Sequence, residues 1–270
     1  MKRFIAFFIV CLIVNQSVAQ NRRIDSLSDA KHILQDLIYT DYFETIYCGA
    51  TYHPKTKKII AYPDVFNETV IANRSERIEY EHIVPVENFG RTFKEWRKGD
   101  KRCVSKGIHY KGRKCANKVN KKFRLMQADM YNLYPSVGSV NAIRMNKPFI
   151  RLPQNIEPVF GTSCLFKVAD NSVEPPDRAK GIVARTYLYF SEVYPKRFQL
   201  NTQQLHQMID WHIQYPVTEW ECTRTARIEA IQKSENLITK EACQKAGLWV
   251  NTDFNKNLNN QKQYIEKEEK

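Results

Sequence analysis

Glu79-Tyr80-Glu81-His82-Ile83-Val84-Pro85 is the stretch on which the reading of this chain turns. A carboxylate stands beside a histidine inside an apolar, strand-like run, which puts a hard metal ligand next to a general base. Downstream, Asp129-Met130-Tyr131-Asn132-Leu133-Tyr134-Pro135 offers the amide oxygen of Asn132 to complete a metal site. Hydrolysis of a phosphodiester needs a water made nucleophilic, charge stabilisation on the phosphoryl oxygens and help for the departing oxygen. His82 with an ordinary pKa of about 6.5 is mostly neutral at pH 7 to 8 and can take the water proton. Oxygen ligands from Glu81 and Asn132 suit Mg²⁺, which keeps several of its waters. Adjacent residues of an ideal strand point to opposite faces. Glu81 and His82 can therefore share one site only if the backbone bends there, and Pro85 favours a bend.

Between these two motifs lies a strongly basic segment. Arg91 to Arg124 holds fourteen Lys or Arg against only Glu95 and Asp100, with Phe93, Trp96, His109, Tyr110 and Phe123 interleaved. Solvated helix faces usually mix charge signs, so a one-sided segment of this kind points to contact with nucleic acid. Lys111, Lys114, Lys118, Lys121, Lys122 and Arg124 are the expected phosphate contacts. The other histidines read as bland: His32, His206 and His212 fall on expected helices, His53 on a loop, and only His109 lies within the basic segment.

The chain begins like an exported one. Lys2 and Arg3 precede an apolar run from Phe4 to Val14, and Ser17-Val18-Ala19 is a small-residue cleavage site, so residues 1–19 are expected to be a signal peptide. That run is short for a bilayer span, and no later segment approaches the roughly 20 apolar residues that a membrane helix needs. Membrane insertion is not expected. Without the leader's two basic residues the net charge of +13 falls to +11. Cys48, Cys103, Cys115, Cys164, Cys222 and Cys243 remain, with no C-x-x-C pair that would indicate structural zinc. An even set in an exported chain points to disulfides, and the spacing alone leaves their pairing open.

Residues 20–250 read as one mixed α+β domain, and 251–270, rich in Asn, Lys and Glu, as a disordered tail. Ser26 or Ser28 is placed to cap a helix carrying Leu27, Ala30, Ile33, Leu34, Leu37 and Ile38. Ile46-Tyr47-Cys48, Lys58 to Tyr62, and Arg77 to Pro85 read as strands. The lysine-rich stretch up to Val119 shows little periodicity and reads as an irregular loop; Phe123 to Tyr131 reads as helix. Three helices follow: one opened by Pro175 and Pro176, and one capped by Thr202 with Leu205, Met208, Ile209 and Ile213 on its apolar face. The third starts at Thr218-Glu219-Trp220-Glu221, which has capping-box spacing.

The stretch Glu79 to Gly90 resembles the active-site signature of the bacterial endonuclease I family. Further blocks match in order: Gly112-Arg113-Lys114-Cys115, Asp129 to Gly138, Ala184-Arg185-Thr186-Tyr187-Leu188-Tyr189 and Tyr215-Pro216-Val217-Thr218-Glu219-Trp220-Glu221. The resemblance implies a ββα-metal (His-Me finger) active site in a mixed, disulfide-bonded α+β domain. It also implies a periplasmic or secreted, sequence-nonspecific nuclease of DNA and RNA that leaves 5′-phosphate and 3′-hydroxyl ends; a monomer is expected. By it, His82 is the general base, Glu81 and Asn132 bind one Mg²⁺ (Mn²⁺ or Ca²⁺ as substitutes), and Arg113 contacts the phosphate. The chain departs from the family pattern at Tyr131, where His is usual, and at Ala50, where a cysteine is usual. It departs again at Gly138-Ser139-Val140-Asn141-Ala142-Ile143-Arg144, where the family reads Gly-Glu-Val-Asn-Gly-Asp-Arg. Two other readings compete with the nuclease: a nucleic-acid-binding protein that kept the fold and lost the chemistry, and a cationic protein aimed at an anionic cell surface.

Overall fold

The computed structural model of the chain describes residues 20–61 and 72–250. The expected leader and tail lie outside these residues, as does Tyr62. Ser26 caps α1 (Leu27–Ile33) by accepting from the Asp29 amide, and the helix runs on through a wider turn, Leu34–Ile38, that buries Leu34 and Ile38. A small hairpin follows, β1 (Thr51–Tyr52) with β2 (Ile59–Ala61). Next, α2 (Ala72–Ser75) leads into β3 (Ile78–His82). The basic segment then folds into α3 (Val86–Gly90), α4 (Lys94–Lys98), a hairpin of β4 (Val104–Ser105) and β5 (Ile108–His109), α5 (Arg113–Val119) and α6 (Lys121–Gln127). A single turn at Met130–Asn132 feeds β6 (Leu133–Val137), and α7 (Gly138–Arg144) starts without a break. A three-stranded antiparallel sheet of β7 (Pro158–Phe160), β8 (Cys164–Ala169) and β9 (Ser172–Glu174) precedes four helices: α8 (Asp177–Val193), α9 (Thr202–Gln214), α10 (Glu219–Gln232) and α11 (Leu237–Lys245).

The centre of this arrangement is β3 against β6, antiparallel, with Tyr80 opposite Pro135, Glu81 opposite Tyr134 and His82 opposite Leu133. Helix α7 lies close on the far end of this pair. A Cβ on Gly138 would stand 2.4 Å from the Arg74 carbonyl oxygen, so only glycine lets the helix start there. Two strands and a helix thus form a ββα arrangement, with some fifty residues of basic chain inserted between the strands.

Buried arginines tie the C-terminal helices to this unit. Arg224 on α10 donates to the Met130 and Leu133 carbonyls at 2.7 Å each and to the Tyr39 hydroxyl, and its guanidinium stacks 3.7 Å from the Tyr134 ring centre. Arg185 on α8 forms a bidentate pair with Glu221, both oxygens at 2.6 Å, with neither side chain more than 2% exposed. Such a fork satisfies both charges away from water. Around them packs an aromatic core that includes Phe89, Phe123, Tyr187, Phe190 and Trp211.

The cysteines pair as Cys48–Cys164, Cys103–Cys115 and Cys222–Cys243. These bridges link the chain before β1 to β8, the foot of the β4–β5 hairpin to α5, and α10 to α11. No helix among the described residues is long and apolar enough to cross a membrane.

Four local expectations need correction. Ile46-Tyr47-Cys48 is a turn and not a strand: Thr45 accepts from the Gly49 and Ala50 amides, and Gly49 takes φ +65° to close it. The stretch up to Val119 is ordered into short elements, because the Cys103–Cys115 bridge and the hairpin impose a structure that hydrophobic period does not signal. Asn201 and not Thr202 caps α9, in a reciprocal box with Gln204, and the helix buries Met208 and Trp211 while Leu205, Ile209 and Ile213 stay exposed. Thr218 does cap α10, but the Glu221 side chain turns away from the box toward Arg185.

Candidate active site

His82 is the last residue of β3, and there the chain bends. Asn132 makes the bend: its Oδ1 accepts from the Val84 amide at 2.7 Å, its Nδ2 donates to the Val84 carbonyl at 2.9 Å, and its own carbonyl accepts from the Ile83 amide. With the strand ended this way, Glu81 and His82 line one cavity of about 420 Å³, together with Glu79, Arg113, Asn141 and Arg144. The bend expected from Pro85 is present, and an asparagine side chain fixes it.

The cavity differs from the expected constellation in one member. Asn132 is fully buried, both of its polar side-chain atoms are committed to Val84, and it is not among the residues lining the cavity. The structure therefore does not bring Asn132 to Glu81 and His82. Asn141, on α7, stands there instead: its Nδ2 donates to Glu79 Oε2 at 2.7 Å, which leaves its Oδ1 without a protein partner among the described residues. The available signal was the segment Gly138 to Arg144, which keeps Asn and Arg of the family pattern while losing its acids. The replacement residue Ser139 is buried with an unpartnered hydroxyl, and Tyr131 donates to the Ser234 carbonyl away from the cavity.

Each remaining group has an identifiable holder. His82 Nε2 lies 2.9 Å from the Gln127 carbonyl at the C-terminal end of α6, where helix carbonyls lack intrahelical partners. That contact fixes the tautomer with the proton on Nε2 and leaves Nδ1 as the free base. The same residue reaches the arginine, since Gln127 Oε1 accepts from Arg113 Nε at 3.4 Å and Gln127 Nε2 donates to Asn117. Gln127 thus positions both His82 and Arg113, a role that nothing in its sequence context announced. Arg113 sits in the first turn of α5, exposed on the cavity.

Glu81 is held by Arg144. The guanidinium donates to Glu81 Oε1 at 2.8 Å, to the His82 carbonyl at 2.7 Å and to the Ile83 carbonyl. Tyr47 donates to the same Oε1 at 3.3 Å, so Oε2 is left for the cavity. Burial raises the Glu81 carboxyl to about 7 even against the Arg144 charge. Burial and the neighbouring Arg113 charge push the His82 imidazole down to about 3. The two carry opposite signs in stability. Between pH 6.5 and 3 the unfolded chain binds the His82 proton that the fold refuses, so acidification destabilises the fold. Between the ordinary carboxylate range and pH 7 the fold binds the Glu81 proton more tightly, so rising pH removes that contribution.

The donor set fits a hard cation. Glu81 Oε2 and Asn141 Oδ1 are oxygen donors with no sulfur nearby, and Glu79 stands behind Asn141, itself paired with Arg74. Among the described residues no three His, Cys, Asp or Glu converge to enclose a metal. An ion held by one or two protein oxygens and several waters needs no such cage.

The basic candidates are spread more widely. Lys111, Lys114, Lys118, Lys121 and Lys122 are exposed, and none of them lines this cavity. Lys114 and Lys118 lie over the Tyr110 ring, Lys118 also donates to the Arg102 carbonyl, and Arg124 is paired with Asp25 at 2.8 Å.

Comparison with known proteins places the chain among relatives. The family model described as Endonuclease I matches residues 28–243. An "Endonuclease-1" of Buchnera aphidicola subsp. Baizongia pistaciae is 32% identical over 249 residues, covering 89% of this chain and 93% of its own length. An "Extracellular deoxyribonuclease" and a "Periplasmic deoxyribonuclease" of Aeromonas hydrophila are each 32% identical, over 78% of this chain and 88% and 85% of their own lengths.

Two measurements separate these roles. Asn132→Ala should lower stability in EDTA by about 2–4 kcal/mol, because it orphans two buried backbone groups, whereas Asn141→Ala should leave EDTA stability within about 1 kcal/mol. Urea unfolding with and without Mg²⁺ reads both, and the metal-induced stabilisation should vanish only in Asn141→Ala. For His82, ¹⁵N NMR of the metal-free protein should show an Nε2–H tautomer that does not titrate between pH 8 and 5. A titration midpoint near 6.5 would contradict the burial argument.

Proposed function

The chain belongs to the endonuclease I family, and on that premise we propose that it is an exported, metal-dependent and sequence-nonspecific endonuclease acting on DNA and also RNA. The observation that carries this reading is the cavity that His82, its tautomer fixed through Nε2, lines together with Arg113 and the oxygen donors Glu81 and Asn141. Export follows from the leader expected at residues 1–19, and relatives named extracellular and periplasmic agree with it.

His82 Nδ1 takes a proton from water as the oxygen attacks phosphorus, and the Gln127 carbonyl keeps the imidazolium oriented while it carries the charge. A low pKa for the free imidazole is consistent with a base that is always neutral at working pH. Arg113 donates to the phosphoryl oxygens, and Gln127 fixes its direction before substrate arrives. Glu81 and Asn141 would hold the Mg²⁺, for which Mn²⁺ or Ca²⁺ can substitute. When bound, the ion supplies charge stabilisation for the phosphoryl group and the departing 3′-oxygen. Glu81 would serve as a ligand in the ionised form in which it pairs with Arg144. Products carry 5′-phosphate and 3′-hydroxyl ends. Phosphate contacts from the basic chain between β3 and β6 position the nucleic acid without reading its sequence.

Digestion of supercoiled plasmid by the protein without its leader tests this reading. We expect nicking in Mg²⁺, none in EDTA, and a loss on the order of 10²–10⁴-fold in His82→Ala. Retarded but uncut plasmid in both Mg²⁺ and Mn²⁺ would replace the nuclease with a binding protein.

A further inference from the structure

The same cavity is lined by two further cations, Lys31 and Lys57, that this mechanism does not use. Lys31 comes from the last turn of α1 and Lys57 from the β1–β2 hairpin loop, two parts of the chain remote in sequence from the catalytic motifs. Neither forms an ion pair or a side-chain hydrogen bond among the described residues; the Lys57 ammonium lies 5.8 Å from the centre of the Tyr80 ring. Burial and the charges of Arg113 and Lys57 all push the Lys31 ammonium below its ordinary pKa. Glu79 opposes them, but its oxygens are already bonded to Arg74 and Asn141. Cations that crowd one cavity in this way repel one another until an anion arrives.

The backbone gives an independent sign. Lys57 holds φ +62°, a conformation that glycine adopts freely and lysine rarely does. Its amide donates to His53 and its carbonyl accepts from Ile78, so β3 itself is braced on this residue. A residue retained in a costly conformation, lining a cavity and lacking a counter-charge among the described residues, is the pattern expected of a functional contact.

From this we propose that Lys31 and Lys57 form a subsite for the phosphate next to the scissile one, on one side of the bond that is cut. The proposal rests on the nuclease reading above and deepens it. Arg113 and His82 serve the reacting phosphate, and the two lysines bind its neighbour, so the cavity recognises two consecutive phosphates of a strand. A chain of this kind is favoured over isolated phosphodiesters because the second contact orients the first.

The test uses short oligonucleotides with a single cleavable phosphodiester, every other linkage being an uncharged methylphosphonate. One charged phosphate is then restored on the 5′ or on the 3′ side. For the wild type, restoration on one side should raise kcat/KM by roughly tenfold or more, the order expected of a charge-assisted contact. In Lys31→Gln with Lys57→Gly that ratio should fall to near one, and Lys31→Arg should retain it. Lys57→Gly relieves the positive φ, so its melting temperature should equal or exceed the wild type's, which separates lost contact from lost fold. As a second reading, binding of a DNA duplex in the His82→Ala background should lose salt dependence in the double lysine variant by a slope of roughly 0.9 per phosphate released. An unchanged ratio or an unchanged slope in variants of an active nuclease would overturn the subsite. Failure of the wild type to cut plasmid at all would instead remove the nuclease reading beneath it.

Discussion

Arg144 is 1% exposed, and its hydrogen bonds fall on three consecutive residues, the Glu81 carboxylate and the His82 and Ile83 carbonyls. Its guanidinium also lies over the Phe149 ring, 4.6 Å from the centre, while its Nε has no partner. One cation thereby sets where β3 ends, which oxygen of Glu81 is free and how the backbone turns after His82. A buried ion pair of this kind adds little net stability compared with an apolar replacement, but removal of one partner leaves a buried charge and costs about 3–5 kcal/mol. The value of the pair is geometric. Asn132 fixes the same turn from the other side through Val84, and Gln127 holds the imidazole and Arg113, so three groups, from α6, α7 and the turn before β6, over-determine the edge that carries Glu81 and His82.

Charge explains how such an edge meets its substrate. The chain carries +13 overall, yet the cavity itself is served by Arg113, Lys31 and Lys57 and not by the lysines of α5 and α6. Some of the outlying cations are already engaged, Arg124 with Asp25 and Arg102 with Asp100. On the proposed reading, a diffuse positive field draws a polyanion in, and the cations at the cavity that lack an ion pair among the described residues decide where it stops.

Glu81 and His82 stand out in the sequence because a carboxylate next to a histidine is a local feature, whereas Arg113 came from the family resemblance; the fold brings all three to one cavity. The choice between Asn132 and Asn141 was not legible. An amide in a sequence does not show whether its two polar atoms are already committed to backbone, and that depended on the bend after His82, a tertiary feature. The helices α1, α8 and α10 followed from caps and period, since these are properties of adjacent residues. β7 to β9 went unseen because short strands around Pro158 and Gly161 leave too few alternations to read. The order of the basic segment depends on a disulfide whose pairing spacing cannot supply. Gln127 holds His82 through its main-chain carbonyl, which every residue has, so no side-chain pattern could have marked that contact.

The most direct measurement is anomalous diffraction from a crystal of the protein soaked in Mn²⁺. The account predicts a single peak with Glu81 and Asn141 as the protein ligands, Arg144 still on Glu81 Oε1, and Asn132 still bonded to Val84. A peak coordinated by Asn132, with its bonds to Val84 broken, would contradict it.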